Sequence, residues 1–461
     1  MGTRLTYCGF NLVESLLRHS RPQLERFLNR MNHLHLNTLM VQYDYGFKHY
    51  KELLLKHCLR DGIQLRLMVF GPRSFYRLAE WHPDMLSRQK DDSLFTDQLE
   101  CETWPCRFAP GALEQFEYGA EEFFRQLPPE INWVQMRSGD GYNSCRCPQC
   151  RQYTVRDNWL PFVAAFIRAG RKVRPEVKLE ADVYLKRYEL PDDLSVYAGL
   201  DAVMYDTFMR YPRYHLGKYS PNIGAMPLLC DGTPPPLSPN EYHGECIRKW
   251  CSNYPGKVYV HENIMMQSYY GISQFNTQVM CDDLDFLADA GANGVLYEAF
   301  EPGFEFFSHQ FEEVARKFNS GKNDYRMGDL EKRLSTHSCP DGLFNINDVP
   351  IAENISNPVM RQNFLLRKKL LESGSVEDFR NYASFACENM DTLDTLFIVY
   401  NHARQFGMNG KLNFTQVSPE TKKMLDSRKL WDYMEAVPEQ EHAIDICLQN
   451  IIDIINNVRS F

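Results

Sequence analysis

The sequence predicts a (β/α)8 TIM barrel followed by an all-α C-terminal region. Strand-like and helix-like segments alternate eight times across residues 1–321, the pattern of parallel strands joined by helices. The first strand leads into Gly9-Phe10-Asn11, which lacks the glycine-rich phosphate turn that an open doubly wound sheet would favour. After about residue 322 strand signals fade and helical spacing takes over. The division expected is therefore a barrel over 1–321 and a helical domain over 322–461.

Each element follows from local pattern. Leu5 to Phe10 reads as the first strand, and Arg21 to His33 as a helix with Leu24, Phe27, Leu28 and Met31 on one face. Leu36 to Tyr43 and Ile63 to Phe70 are the next strands, with a helix from Tyr50 to Asp61 between them. A long irregular stretch then leads to a helix over Gly111 to Gln126, a fourth strand over Ile131 to Met136 and a helix over Trp159 to Val173. Val177 to Leu185 and Ala202 to Phe208 are the fifth and sixth strands, and Met226 to Cys230 is a candidate extra strand. Ser238-Pro239-Asn240-Glu241 reads as a capping box with proline at the first helical position. Lys257 to Glu262 is the seventh strand, Thr277 to Ala290 a helix stopped by Gly291, Gly294 to Phe300 the eighth strand, and Phe307 to Phe318 its helix. Beyond, Pro358 to Glu372, Val376 to Asn389, Leu393 to Phe406, Ser418 to Val437 and Glu439 to Val458 have helical spacing. The apolar stripe of the last suits an intramolecular core or the seam of a homodimer.

Composition narrows the partners. The chain has 461 residues, of which 44% are apolar and 13% aromatic, enough for a large core and for aromatic-lined clefts. A net charge of -9 without a basic stripe argues against a nucleic-acid partner. No window is long and apolar enough for a membrane span. No apolar leader precedes the first strand, so the fourteen cysteines read as mostly reduced thiols of a cytoplasmic protein.

In barrel enzymes the reacting groups stand at the C-terminal ends of the strands. That rule selects Asp140 past the fourth strand, Glu180 and Asp182 on the fifth, Asp206 ending the sixth, His261 and Glu262 ending the seventh, and Glu298 ending the eighth. Arg66 and Arg137 would offset this acidic set. Paired carboxylates suit glycoside hydrolysis, in which one protonates the leaving oxygen and the other activates water or attacks the sugar. Asp140 is the expected acid, its flanking glycines allowing close backbone approach, and Glu298 or Glu262 the base or nucleophile. Tyr142, Tyr184, Tyr259, His261, Arg137 and Asp206 would bind the sugar, and no cofactor is required for catalysis. The plainer alternative for each residue is a helix cap, a turn or core packing.

Cys145-x-Cys147-x-x-Cys150 supplies three thiols, and Cys106 or Cys101 in the long loop after the third strand could supply the fourth ligand of a structural zinc. The rival reading is reduced thiols packing a loop. Two other classes of function stay open. A non-catalytic carbohydrate-binding barrel predicts an aromatic cleft without opposed carboxylates. A metal-dependent hydrolase built on the cysteine loop predicts an open coordination position.

The run Ser138-Gly139-Asp140-Gly141 followed by the cysteine motif resembles the bacterial domain-of-unknown-function family 4838, barrels similar to glycosidases. Val183-Tyr184, Trp250 and Asp283-Leu284-x-Phe286-Leu287 leading to Gly291-Ala292-x-Gly294-Val295 also fit, so that the resemblance covers about Met1 to His309. It implies a distant likeness to the barrels of β-hexosaminidases and α-glucuronidases, which place an acid at the end of the fourth strand, here Asp140. Hexosaminidase-like enzymes carry an Asp-Glu pair there, and Asp140-Gly141 departs from it, which argues against substrate-assisted N-acetyl chemistry.

Overall fold

The computed structural model describes residues 5–12, 21–75, 82–88, 104–138, 145–208, 210–211, 214–220, 227–263, 277–298 and 308–320, with short helical pieces between 361 and 389. Eight parallel strands close into a barrel in sequence order. They are β1 (Tyr7–Leu12), β2 (Thr38–Gln42), β3 (Gln64–Val69), β4 (Trp133–Met136), β5 (Lys178–Val183), β6 (Ala202–Asp206), β7 (Lys257–Glu262) and β8 (Gly294–Glu298). Almost every strand residue is buried, because one face looks into the barrel and the other meets helices. The pairing of β8 with β1 closes the sheet and sets Glu298 opposite Asn11. Close strand approach also fixes Gly9: a Cβ there would lie 1.7 Å from the Thr38 carbonyl oxygen, so a side chain would push β1 off β2 and shift Asn11 with it.

The helices are α1 (Arg21–His33), α2 (Lys48–Asp61), α3 (Gly71–Phe75), α4 (Ala112–Gln126), α5 (Val155–Val173), α6 (Pro239–Asn253), α7 (Thr277–Ala290) and α8 (Ser308–Ser320). The capping box at Ser238 and Glu241 forms as expected, and a second, Thr154 with Asp157, starts α5. Gly291 ends α7 with φ +91°, a left-handed conformation that suits glycine.

The strict alternation expected from sequence fails in one place. Between β5 and β6 there is no α-helix, only two 3-10 turns, Leu185–Arg187 and Tyr197–Gly199. The eighteen-residue connection contains Pro191 and Gly199, both poor helix formers. Aromatic side chains fill the space a helix would occupy. Tyr197 meets the Trp250 ring edge-on at 5.2 Å, Trp250 Nε1 donates to the Tyr188 carbonyl at 2.9 Å, and the Tyr254 hydroxyl donates to the carbonyls of Tyr197 and Leu200. Residues 227–230 of the candidate extra strand form none. A π-helical turn, Tyr43–Phe47, follows β2 and was not expected. Apart from the pieces named, the expected C-terminal helical domain lies outside the described residues. No helix among the described residues is long and apolar enough to cross a membrane.

The barrel interior is layered. Its lower part holds Met40, Met68, Trp133, Met204, Tyr259 and Leu296. Within it Arg66 Nη1 donates to Glu180 Oε2 at 3.1 Å, and the guanidinium lies 4.0 Å from the Trp133 ring and 3.9 Å from that of Tyr259. Trp133 Nε1 and Gln135 Nε2 also donate to the Glu180 carboxylate. Burial raises the Glu180 pKa above the ordinary carboxylate value, against the opposing pull of Arg66. This enclosed ion pair belongs to the interior packing. It does not bring Arg66 or Glu180 to the barrel mouth.

Candidate active site

Side chains alternate across a strand, so the residues sharing a face with the interior layer can be read upward. Asn11, Gln42, Arg137, Asp182, Asp206, His261 and Glu298 carry that face to the C-terminal ends of seven strands or, for Arg137, one residue past β4. Register sets Asp206 beside His261.

These residues form a connected polar network. His261 Nδ1 is 2.7 Å from Asp206 Oδ2, and Asn11 Nδ2 is 3.1 Å from His261 Nε2. An amide nitrogen can only donate, so Nε2 accepts and the proton of a neutral imidazole sits on Nδ1, pointing at Asp206. Arg137 Nη2 stands 3.3 Å from Asp206 Oδ2. Asp206 Oδ1 accepts from the Phe208 amide at 2.8 Å and from Asn263 Nδ2. Burial alone would raise the Asp206 pKa, but His261, Arg137 and the Phe208 amide together hold it below the ordinary value. The carboxylate is thus a fixed negative charge that orients the imidazole, with all three side chains buried.

A second branch starts at Asp182. Its Oδ2 accepts from the Ser138 hydroxyl at 2.9 Å and from the Ser138 amide at 3.2 Å, and Arg187 Nη2 donates to the same hydroxyl. Burial raises the Asp182 pKa in spite of Arg187 and Arg137. Asp182 therefore anchors Ser138, two residues past β4. Tyr184 packs at this edge, with the Arg137 guanidinium 4.7 Å from its ring and the Phe208 ring meeting it edge-on at 5.5 Å.

The structure thus brings Arg137, Tyr184, Asp206, His261 and Glu298 to one end of the barrel. It separates two of the other sequence candidates from them. Tyr259 sits two residues deeper on β7, fully buried against Arg66 and Trp133. Glu262 follows His261 directly and so points to the outer face, where Arg210 Nη1 donates to its Oε2 at 2.8 Å. Arg210 Nη2 reaches Asp283 on α7 at 2.7 Å. Burial and the nearby Asp283 charge push the Glu262 carboxyl up to about 7, Arg210 opposing. Asp140 and Tyr142 lie outside the described residues.

Sequence reading missed Asn11 and Gln42. Several buried atoms of this inner rim have no hydrogen-bond partner among the described residues: Asn11 Oδ1, both polar atoms of the Gln42 amide, and Asp182 Oδ1. Leaving such an atom without a partner costs about 1–3 kcal/mol. Together they present acceptors and a donor from three strands towards one end of the barrel, an array suited to the hydroxyls of a polar ligand.

Beside this rim, Cys106, Cys145, Cys147 and Cys150 form a four-thiol cluster that could hold a structural metal. A cavity lined by Ser138, Arg187, Trp104, Trp159 and Cys145 adjoins the cluster. Four sulfur ligands would leave a tetrahedral ion no open position, which disfavours the cluster as a catalytic metal site.

No family model matches the chain, and no curated protein matches its sequence. Solved structures do resemble it. One is a β-galactosidase from the Antarctic haloarchaeon Halorubrum lacusprofundi, at 13% identity and TM-score 0.48, covering 68% of this chain and 58% of that one. Another is a β-N-acetylhexosaminidase, at 12% identity and TM-score 0.45, covering 73% of this chain and 76% of that one. A third is the endo-β-1,4-mannanase from Thermotoga petrophila, at 10% identity and TM-score 0.40, covering 70% and 79%. The chain spans under two thirds of the β-galactosidase and likewise 57% of a family 5 glycoside hydrolase from Bacteroides vulgatus. These are distant likenesses, and the barrel assignment rests on the strand pairing itself.

Proposed function

We propose that the protein is a carbohydrate-active hydrolase that cleaves a glycosidic bond at the C-terminal end of the barrel. The observation that carries this reading is the inner rim: Asn11, Gln42 and Asp182 hold unmet hydrogen-bonding capacity beside the Arg137–Asp206–His261 network and Glu298. A ligand rich in hydroxyls is the chemistry that such an array of neutral amides and carboxylates satisfies. In this reading Asp140 is the general acid and Glu298 the base or nucleophile. Asp206 and Arg137 fix His261, whose imidazole together with Tyr184 shapes a sugar subsite. The membership in the glycosidase-like family suggested by the Ser138-to-Cys150 motif belongs to the same proposal.

The test is a screen of the purified protein against aryl glycosides and oligosaccharides, with Asp140→Asn run alongside on the best substrate. Loss of a general acid lowers the rate by about 10²–10⁴-fold while the fold persists. Full turnover by Asp140→Asn would remove that residue from the mechanism. Saturable sugar binding measured by calorimetry without turnover of any substrate would replace the hydrolase by a carbohydrate-binding barrel.

A further inference from the structure

The four thiols come from two neighbouring loops. Cys106 lies between β3 and α4, whereas Cys145, Cys147 and Cys150 lie between β4 and α5. All four sulfurs fall within 4.8 Å of one another, with three of the residues buried and Cys147 half-buried. Cys106 Sγ is 3.9 Å from Cys147 Sγ and 3.6 Å from Cys150 Sγ. A disulfide would need about 2.05 Å, so these sulfurs are not joined to one another. A tetrahedral zinc ion with Zn–S bonds of about 2.3 Å holds its sulfurs about 3.8 Å apart, and the two separations straddle that value.

We propose that Cys106, Cys145, Cys147 and Cys150 bind one zinc ion as a closed structural site that clamps the loop after β3 to the loop after β4. The ligand frame is built from both sides. The Cys106 amide donates to the Met85 carbonyl at 2.6 Å, and Asn158 Nδ2 on α5 donates to the Cys150 carbonyl at 3.0 Å. Two backbone amides aim at sulfur: that of Arg88 at Cys145 Sγ, 3.2 Å away, and that of Cys150 at Cys147 Sγ, 3.4 Å away. Such N–H donors spread the charge of a metal-bound thiolate and orient it. The compactness of the set also selects one shared ion. In a [4Fe–4S] cluster each thiolate binds its own iron, and in a [2Fe–2S] cluster the four are split in pairs between two irons, so either sets some of the cysteine sulfurs farther apart than a single ion does. Four sulfur ligands complete a tetrahedron, so the ion works by cross-linking: it joins the βα loops that follow β3 and β4. The proposal is independent of the hydrolase reading, since its readout is metal content.

The experiment uses the full chain. Elemental analysis of protein purified without added metal is expected to give one zinc per chain. Titration of the thiols with an organomercurial should release that zinc in a single step. Replacement by cobalt should produce the visible d–d bands and sulfur-to-cobalt charge transfer of a tetrahedral tetrathiolate. Cys106→Ser should lower the zinc content to near zero or weaken binding by orders of magnitude. The cobalt spectrum of the unaltered chain keeps the test decisive if that variant fails to fold. Protein that holds no zinc after reconstitution would overturn the proposal. So would the absorption of an iron–sulfur cluster, a cobalt spectrum of mixed or octahedral ligation, or full zinc retention by folded Cys106→Ser.

Discussion

His261 and Glu262 are consecutive on β7, both buried and both polar, yet they belong to different parts of the molecule. His261 turns inward to Asp206, Asn11 and the barrel mouth. Glu262 turns outward to Arg210, which also binds Asp283 and the Tyr214 carbonyl and so ties β7, the loop after β6 and α7 together. The inner cluster leaves hydrogen-bonding capacity at the C-terminal ends of the strands, whereas the unpaired atoms of the outer one, Glu262 Oε1 and Arg210 Nε, lie behind the sheet. The outer cluster is enclosed between strand and helix. Strand parity, more than burial or charge, separates the residues placed to meet a ligand from those that hold the frame.

The largest expected effect falls on the frame. Arg210→Met leaves two carboxylates buried without their cation, and breaking a buried pair in this way costs about 3–5 kcal/mol. Chemical denaturation should show a loss of that size, and a stability within about 0.5 kcal/mol of the parent, the range of an ordinary surface substitution, would contradict the outer-cluster account.

The outer layer should also contribute to the pH dependence of stability. Burial pushes the Glu262 carboxyl up from 4.5 to about 7, so the fold prefers its protonated form. The stability this contributes is complete below 4.5 and is lost as pH rises through about 7. His243 runs the opposite way. Its Nε2–H donates to the Phe208 carbonyl and its Nδ1 accepts from the Tyr205 hydroxyl, so the ring is neutral, and burial followed by the Arg210 charge push its pKa down to about 3. Stability from this group is complete above 6.5 and is lost as pH falls towards 3. Denaturation curves across this range should therefore show Glu262→Gln flattening the loss on the alkaline side and His243→Asn the loss on the acid side. Unchanged slopes in both would refute the assignment of the two groups.

Much of this architecture is legible in the sequence, and the misses have physical reasons. The limits of β7, α1 and α7 follow from apolar runs and helical spacing with clear stops, and a fourth thiol from Cys106 or Cys101 is expected because successive βα loops are neighbours around a barrel; Cys106 is the one found there, and Cys101 lies outside the described residues. Asn11 was missed because the apolar run ends at Phe10, whereas pairing with β8 carries the strand on to Asn11 and pairing with β2 to Leu12. The outward turn of Glu262 was there to be read: Val258 and Val260 are the helix-facing residues of β7, and Glu262 shares their parity. The connection from β5 to β6 was hidden because tertiary packing of Tyr188 and Tyr197 on Trp250 and its neighbours, with no local helical pattern, fills that layer.

A smaller effect is expected at the edge of the inner rim. Gln42→Ala removes an amide whose two polar atoms have no partner among the described residues, so thermal stability should change little or rise. Sugar affinity should fall by roughly tenfold, the worth of one hydrogen bond of about 1.4 kcal/mol. Calorimetry with a bound sugar checks this, and unchanged affinity would place the ligand elsewhere.

The most direct test of the difference between the two faces compares Glu298→Gln with Glu262→Gln on the best substrate from the glycoside screen. The inner residue should cost about 10²–10⁴-fold in kcat/KM with the fold intact. The outer residue should leave kcat/KM within about threefold, since a frame residue acts on stability and not on the reacting bond. The reverse order, with Glu262→Gln inactive and Glu298→Gln active, would contradict the account.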